Sequence, residues 1–431
     1  MKTPSISRRA LLGATGVGAV ATLGLSARKR GPDSISTRER SPGWPLLHHD
    51  TRNTGYNPHA TGPESDPDVR WRVERFDPEG RFRGYLNFPT PVVSGDTVFV
   101  GGRSLSALRV GDGRERWSVE GGDGETFHGT AFADDTVFAT TQYPETSGVT
   151  AVTSAGERRW RKTGLHRIQT PLVAGIAVYV PGDDRLVALD RSSGAERWTA
   201  ETGSRPTGHP AVTDDALYTA EGWDGLAARD RRNAFYEIPL QTPPRVRWRY
   251  DPDERAYPAP AVGDRGRVFV PETEEWYPNR DEGPGKLAAF DPDGSRRWTE
   301  SGGTFGTSPV VADGTVFYKC GTNTETKDMG EYVESHSDAR ITAHDPADGT
   351  ARWTRTVESF GDWQIAPVSD GHRLYVPLHD DVDERSALVA LNVETGTTEW
   401  RRTLESPAYH LALAGGTLFV STEAGTVFAL E

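Results

Sequence analysis

An all-β ring, an eight-bladed β-propeller of four-stranded antiparallel blades, follows from three features of this 431-residue chain. Tryptophan recurs at one place in a repeating unit, at Trp71, Trp117, Trp160, Trp198, Trp248, Trp298, Trp353 and Trp400. Each unit carries a pair of short β-rich runs, and the two ends of the chain hold complementary parts of one unit. Successive tryptophans lie 38 to 55 residues apart, a long repeat that tolerates insertions, as propeller arrays do.

The first two strands of a unit are read from run pairs such as Thr90–Val93 with Thr97–Val100, or Ser308–Val311 with Thr315–Tyr318. The turns between them (SGD, ADD, ADG, SDG, AGG) hold the Gly and Asp that tight hairpins need. The third and fourth strands come from lead-ins such as VALDRSSGAERW, residues 187–198: an apolar run, a Gly/Asp turn, then the strand bearing tryptophan. The final unit stops at Thr426–Leu430 with no tryptophan strand after it, while Val69–Trp71 precedes any complete unit. The N-terminal strand is therefore expected to complete the last blade, which removes the open edges of the ring.

A repeat ring is one cooperative body, so a single domain is expected from residue 44 to 431. Residues 1–30 hold six of the 49 basic side chains and none of the 62 acidic ones, which leaves a net charge of −19 on the remainder. Such a field repels phosphate backbones and anionic membranes, so no nucleic-acid partner is expected. Only six lysines are present, and this acidic, lysine-poor composition resembles that of halophilic archaeal proteins. The single cysteine, Cys320, excludes an intrachain disulfide and a thiolate cluster, and its place in an apolar strand predicts a buried, inert thiol.

Ser7-Arg8-Arg9-Ala10-Leu11-Leu12 opens a weakly apolar run that reaches Ala27, in the order of a twin-arginine export signal. Residues 1–30 are read as that signal or, because Arg28-Lys29-Arg30 follow at once, as an uncleaved anchor. Residues 31–43, rich in Ser, Arg, Pro and Gly, read as a flexible linker. The expected location is extracellular or at the cell surface, with membrane association only through the N-terminal segment.

The segment Trp44-Pro45-Leu46-Leu47-His48-His49-Asp50-Thr51-Arg52-Asn53-Thr54-Gly55, followed by units of the form ALDxxTGxxxW, resembles the PQQ-binding-like β-propeller repeat proteins. That superfamily includes eight-bladed quinoprotein dehydrogenases and the non-catalytic propeller lipoprotein of the bacterial outer-membrane assembly machinery. The resemblance implies that the eight repeat tryptophans dock between blades and that the glycine turns reverse the strands. It implies PQQ and Ca²⁺ as cofactors only for the enzymatic members. Their adjacent-cysteine disulfide cannot form here, CxxCH is absent, and their Ca²⁺ ligands have no assignable counterparts.

Insertions fall between the second and third strands of three consecutive units, at Pro271–Lys286, Lys319–Arg340 and Pro377–Ser386. They are expected to form an acidic rim, with Glu272, Glu274, Glu275, Asp281, Glu282, Asp380, Asp381, Asp383 and Glu384 as solvated carboxylates or cation ligands. A second group is expected near the channel mouth: Phe88, Phe127, His128, Gln169, His209, Tyr257, Trp363, Gln364, Tyr409 and His410. They either plug the channel or bind a planar or sugar-like ligand. His48, His49 and Asp50 invite a metal reading, but the two adjacent histidines have no third ligand in evidence, and no metal site is assigned. The unit ending at Trp248 carries a long connection, Asp230–Arg247, between its third and fourth strands.

No catalytic triad, phosphate-cradling glycine loop or zinc motif is present in the sequence. The leading expectation is an exported, non-catalytic propeller acting as a protein-interaction or ligand-binding scaffold at the outer side of the cytoplasmic membrane. Two others stay open: a PQQ-dependent, Ca²⁺-assisted oxidoreductase acting on alcohols or sugars, and a carbohydrate-active propeller, which needs a carboxylate pair at catalytic separation.

Overall fold

The structure is a computed structural model. It describes residues 43–75, 90–122, 125–142, 147–166, 168–202, 208–221, 226–230, 243–250, 255–256, 259–273, 286–301, 303, 306–328, 333–357, 365–380 and 385–431. Eight separate antiparallel sheets follow one another along the chain as blades. Their inner strands are Val92–Ser94, Thr126–Ala133, Leu172–Ala174, Ala211–Val212, Ala261–Val262, Val310–Ala312, Val368–Ser369 and Ala408–Ala414. In the fifth blade a further short strand, Arg255–Ala256, joins Ala261–Val262 in pairing with Val268–Thr273.

Burial falls from the inside outward. In the third blade Leu172–Ala174 and Ala177–Gly182 are buried throughout, whereas the outermost strand, Glu196–Glu201, has exposed glutamates at both ends. The hairpins turn where positive φ is tolerated: Asp313 and Gly314 stand at φ 41° and 71°, the mirror-image turn whose twist matches the flanking strands.

Every blade is built on the same three residues. An alanine of the third strand pairs with the repeat tryptophan of the fourth, as in Ala107 with Trp117, Ala188 with Trp198 and Ala390 with Trp400. The same alanine pairs on its other side with an aromatic of the second strand: Phe99, Tyr179 and Tyr375 in these blades. The aromatic and the indole then meet across the small alanine, with ring centroids 5.8 to 6.0 Å apart in all eight blades. Tilted rings at this separation attract edge to face in addition to burying area.

The indole also reaches the next blade. Trp117 Nε1 donates to the Ser154 carbonyl at 2.7 Å, Trp160 to Arg191 at 2.9 Å and Trp353 to Val393 at 2.8 Å. Against the rings of Trp71, Trp117, Trp160, Trp248, Trp298 and Trp353 lies the turn glycine of the next blade. Gly194, at φ 72°, leaves no room for a Cβ, which would stand 2.5 Å from Trp160 Cε3. At these positions the glycine is a contact surface as well as a turn.

The chain closes as expected. Val69–Glu74 pairs with Thr426–Leu430 and forms the outer strand of the eighth blade. No turn joins Val69–Glu74 to Thr426–Leu430, and Trp400 docks instead on the Pro63 carbonyl at 2.9 Å.

Two of the three insertions are largely strand. Thr315–Asp328 and Val333–His344 stay paired as far as Asp328 opposite Val333, well beyond the blade body. Arg373–Asp380 and Arg385–Asn392 stay paired to Asp380 opposite Arg385. The hydrogen-bonding demand of the backbone continues the ladder where the sequence reading saw only long connections.

Candidate functional site

The residues that resemble the family's N-terminal motif form a belt along the inner strands. Trp44 exchanges backbone hydrogen bonds with Val93 of the first blade at 2.8 Å. The Pro45 carbonyl accepts from Phe132 of the second, and Leu46 packs with Leu172 and Val173 of the third. The carbonyls of Thr51, Arg52, Thr54 and Gly55 then accept from Val212, Val262, Val311 and Ser369 in blades four to seven. Thr61 donates to Gly415 of the eighth at 2.9 Å. One stretch of chain, Trp44–Thr61, thus touches all eight blades in order.

Its course is set by polar turn chemistry. Asp50 Oδ1 accepts the backbone N–H groups of Arg52 and Thr54, both at 3.0 Å. His49, Asn53 and Gly55 stand at φ 73°, 57° and 61°, values that Asn and Gly adopt at least cost. Asn53 is the central clamp. Its Nδ2 lies 3.0 to 3.1 Å from the carbonyls of His209, Pro210 and Pro260, so it holds blades four and five together. Asn57 Nδ2 does the same for the Gly43 and Leu413 carbonyls, both at 2.9 Å.

Three imidazoles gather beside the belt. The His48 and His209 rings lie 6.1 Å apart, edge to face. Burial, with repulsion from His209 and His410, pushes His48 down to about 3. His410 is held at about 4 by burial alone. His209 has Nδ1 at 3.0 Å from Asn53 Oδ1 and Nε2 at 3.2 Å from the Pro171 carbonyl. Both partners are acceptors, which favours the imidazolium. Burial outweighs them and leaves the group at about 4. At neutral pH these three rings are uncharged.

The sequence-predicted channel residues have varied surroundings. His209 and His410 belong to this cluster, and Tyr409 and His410 are edge to face at 6.5 Å. Phe127 is buried in the apolar core shared by the first two blades. His128 Nε2 lies 2.8 Å from Thr126 Oγ1, and Gln169 donates its backbone N–H to Pro181 at 2.9 Å. Phe88, Tyr257, Trp363 and Gln364 lie outside the described residues. So do the rim carboxylates Glu274, Glu275, Asp281, Glu282, Asp381, Asp383 and Glu384, while Glu272 and Asp380 stand near strand ends. Among the described residues no group of three or more His, Cys, Asp or Glu is placed to hold a metal. Cys320 is buried, which raises its thiol.

Sequence reasoning missed the belt and two buried cations. Arg229 donates to Glu221 Oε1 at 2.7 Å, with Arg249 at 2.8 Å from the other oxygen of that buried carboxylate. Lys319 Nζ donates to the Ile365 and Pro377 carbonyls of the seventh blade at 3.3 and 2.9 Å. The available signal for the belt was the close spacing of Asp50, Asn53, Gly55 and Asn57, all turn formers with no strand pattern around them.

Residues 64–199, 101–244 and 337–431 match the family model described as outer membrane protein assembly factor BamB. The serine/threonine-protein kinase AfsK of Streptomyces griseus is 30% identical over 297 residues, covering 56% of this chain and 34% of that protein. The chain thus spans about a third of the length of that curated relative. Among solved structures, BamB from Moraxella catarrhalis aligns with a TM-score of 0.58 at 15% identity, over 85% of this chain and 99% of the other. A quinohemoprotein alcohol dehydrogenase from Comamonas testosteroni aligns with a TM-score of 0.64 at 13% identity, over 90% and 80%. Identities this low bear on the fold alone.

Proposed function

Because the chain belongs to the PQQ-like repeat family described as outer membrane protein assembly factor BamB, we propose that it is an exported, non-catalytic propeller, a protein-interaction or ligand-binding scaffold at the outer side of the cytoplasmic membrane. The observation that carries this reading is the belt. Residues that a catalytic channel would keep available are committed to holding blades together: His209 meets Asn53 and Pro171 with its two ring nitrogens. The match to part of a kinase polypeptide supports a modular use of the same repeats. The twin-arginine pattern at Arg8 and Arg9 supports the location.

The test is equilibrium binding of PQQ, with and without Ca²⁺, to protein purified in molar salt, followed by alcohol- and sugar-dependent dye reduction. The scaffold reading expects no turnover. Ca²⁺-dependent PQQ binding with sustained dye reduction would replace it with the oxidoreductase reading. Detection of the secreted or membrane-attached protein after blocking twin-arginine export tests the location, and unchanged export would remove that part.

A further inference from the structure

We propose that the belt holds a small oxyanion at Arg52. Among the described residues, four buried side-chain polar atoms without a hydrogen-bond partner fall within the six residues His49–Thr54: His49 Nδ1, Thr51 Oγ1, Arg52 Nε and Thr54 Oγ1. Buried polar groups in native proteins are almost always satisfied, so such a concentration calls for partners that the protein itself does not supply.

The identity of the groups sets the ligand's charge. Arg52 remains protonated at any relevant pH, yet its side chain enters no ion pair or hydrogen bond among the described residues. Asp50, the carboxylate two residues away, has Oδ1 engaged by the backbone N–H groups of Arg52 and Thr54. Two arginines with buried side chains are matched: Arg229 has Glu221, and Arg75 has Glu115 at 3.6 Å, whereas the half-buried Arg52 has no carboxylate among the described residues. A guanidinium with a buried Nε calls for a carboxylate or phosphate, whose paired oxygens fit its fork. The two threonine hydroxyls can donate to the same class of ligand.

The site does not depend on the scaffold reading, since PQQ turnover and anion binding are measured separately. Full-length protein is titrated at constant ionic strength and neutral pH with inorganic phosphate in one arm and succinate in the other. Binding is followed by calorimetry and by the NMR signal of the Arg52 Nε–H. Saturable binding is expected in one arm, with a shift of that signal. Arg52→Gln should weaken the affinity at least tenfold, and Arg52→Lys, which keeps the charge but loses the fork, should fall between. Thr54→Val provides a milder variant in case the arginine changes disturb folding, and it should weaken binding without moving the thermal midpoint greatly. An unmoved Nε–H signal, equal affinity in Arg52→Gln, or equal displacement by chloride would each overturn the proposal.

Discussion

An alanine faces the repeat tryptophan in all eight blades, from Ala107 opposite Trp117 to Ala429 opposite Trp71. A methyl group is what lets the indole lie against the second-strand aromatic, so the position has a size limit that hydrophobicity alone does not express. Ala188→Leu should destabilise the protein by about 1–3 kcal/mol through overpacking between Tyr179 and Trp198, measured by denaturant unfolding in the same salt. Gly194 is constrained twice, by φ 72° and by the Trp160 ring beneath it. Gly194→Ala therefore costs the left-handed backbone penalty of about 1–2 kcal/mol and the contact besides. Stability equal to wild type would contradict the role given to that turn.

Two elements turn a row of blades into a ring. The strand Val69–Glu74 supplies the fourth strand of the eighth blade, and the belt Trp44–Thr61 links the inner strands of every blade. The first gives the outer edge a partner. The second satisfies inner-edge groups that a channel would otherwise leave to water. Asn53→Gly keeps the positive φ while removing three clamped carbonyl contacts and the His209 contact. It should lower stability by about 3 kcal/mol or more, because each buried group left unpaired costs on the order of 1–3 kcal/mol. Faster hydrogen exchange at Val212, Val262 and Val311 is expected with it. Exchange unchanged at those amides would mean that the belt holds without its clamp.

The whole ring responds to acid through the belt. His49 and His209 are each held at about 4, below the ordinary value of 6.5, with burial the largest cause in both. A depressed folded-state value means that the neutral form is favoured, so this stability is complete above pH 6.5 and is lost as pH falls through 4. Full protonation of each of these buried rings costs about 3 kcal/mol of stability, and His48 and His410 act in the same direction. Unfolding midpoints at pH 7 and pH 4.5 should therefore differ strongly in wild type and less in His49→Gln. Equal pH sensitivity in the two proteins would place the effect elsewhere.

Blade number, strand count and closure were legible in the chain because each is a local pattern repeated eight times. A tryptophan strand, a glycine turn and two β-rich runs can be recognised wherever they stand. The aromatic and alanine partners were equally in view, as in Val-Phe-Val and Val-Ala-Leu, but their meeting with tryptophan depends on strand register, which runs of hydrophobicity do not state. The insertion after Lys319 read as a connection because its alternating polar residues carry no apolar face, and backbone pairing made it a ribbon. The belt was beyond reach for a different reason. Asn53 acquires its meaning from carbonyls 156 to 207 residues away, and nothing within its own segment encodes which blades those carbonyls occupy. Short-range repetition fixes the architecture of this propeller, while the chemistry at its centre arises only when one unrepeated segment is laid across all eight repeats.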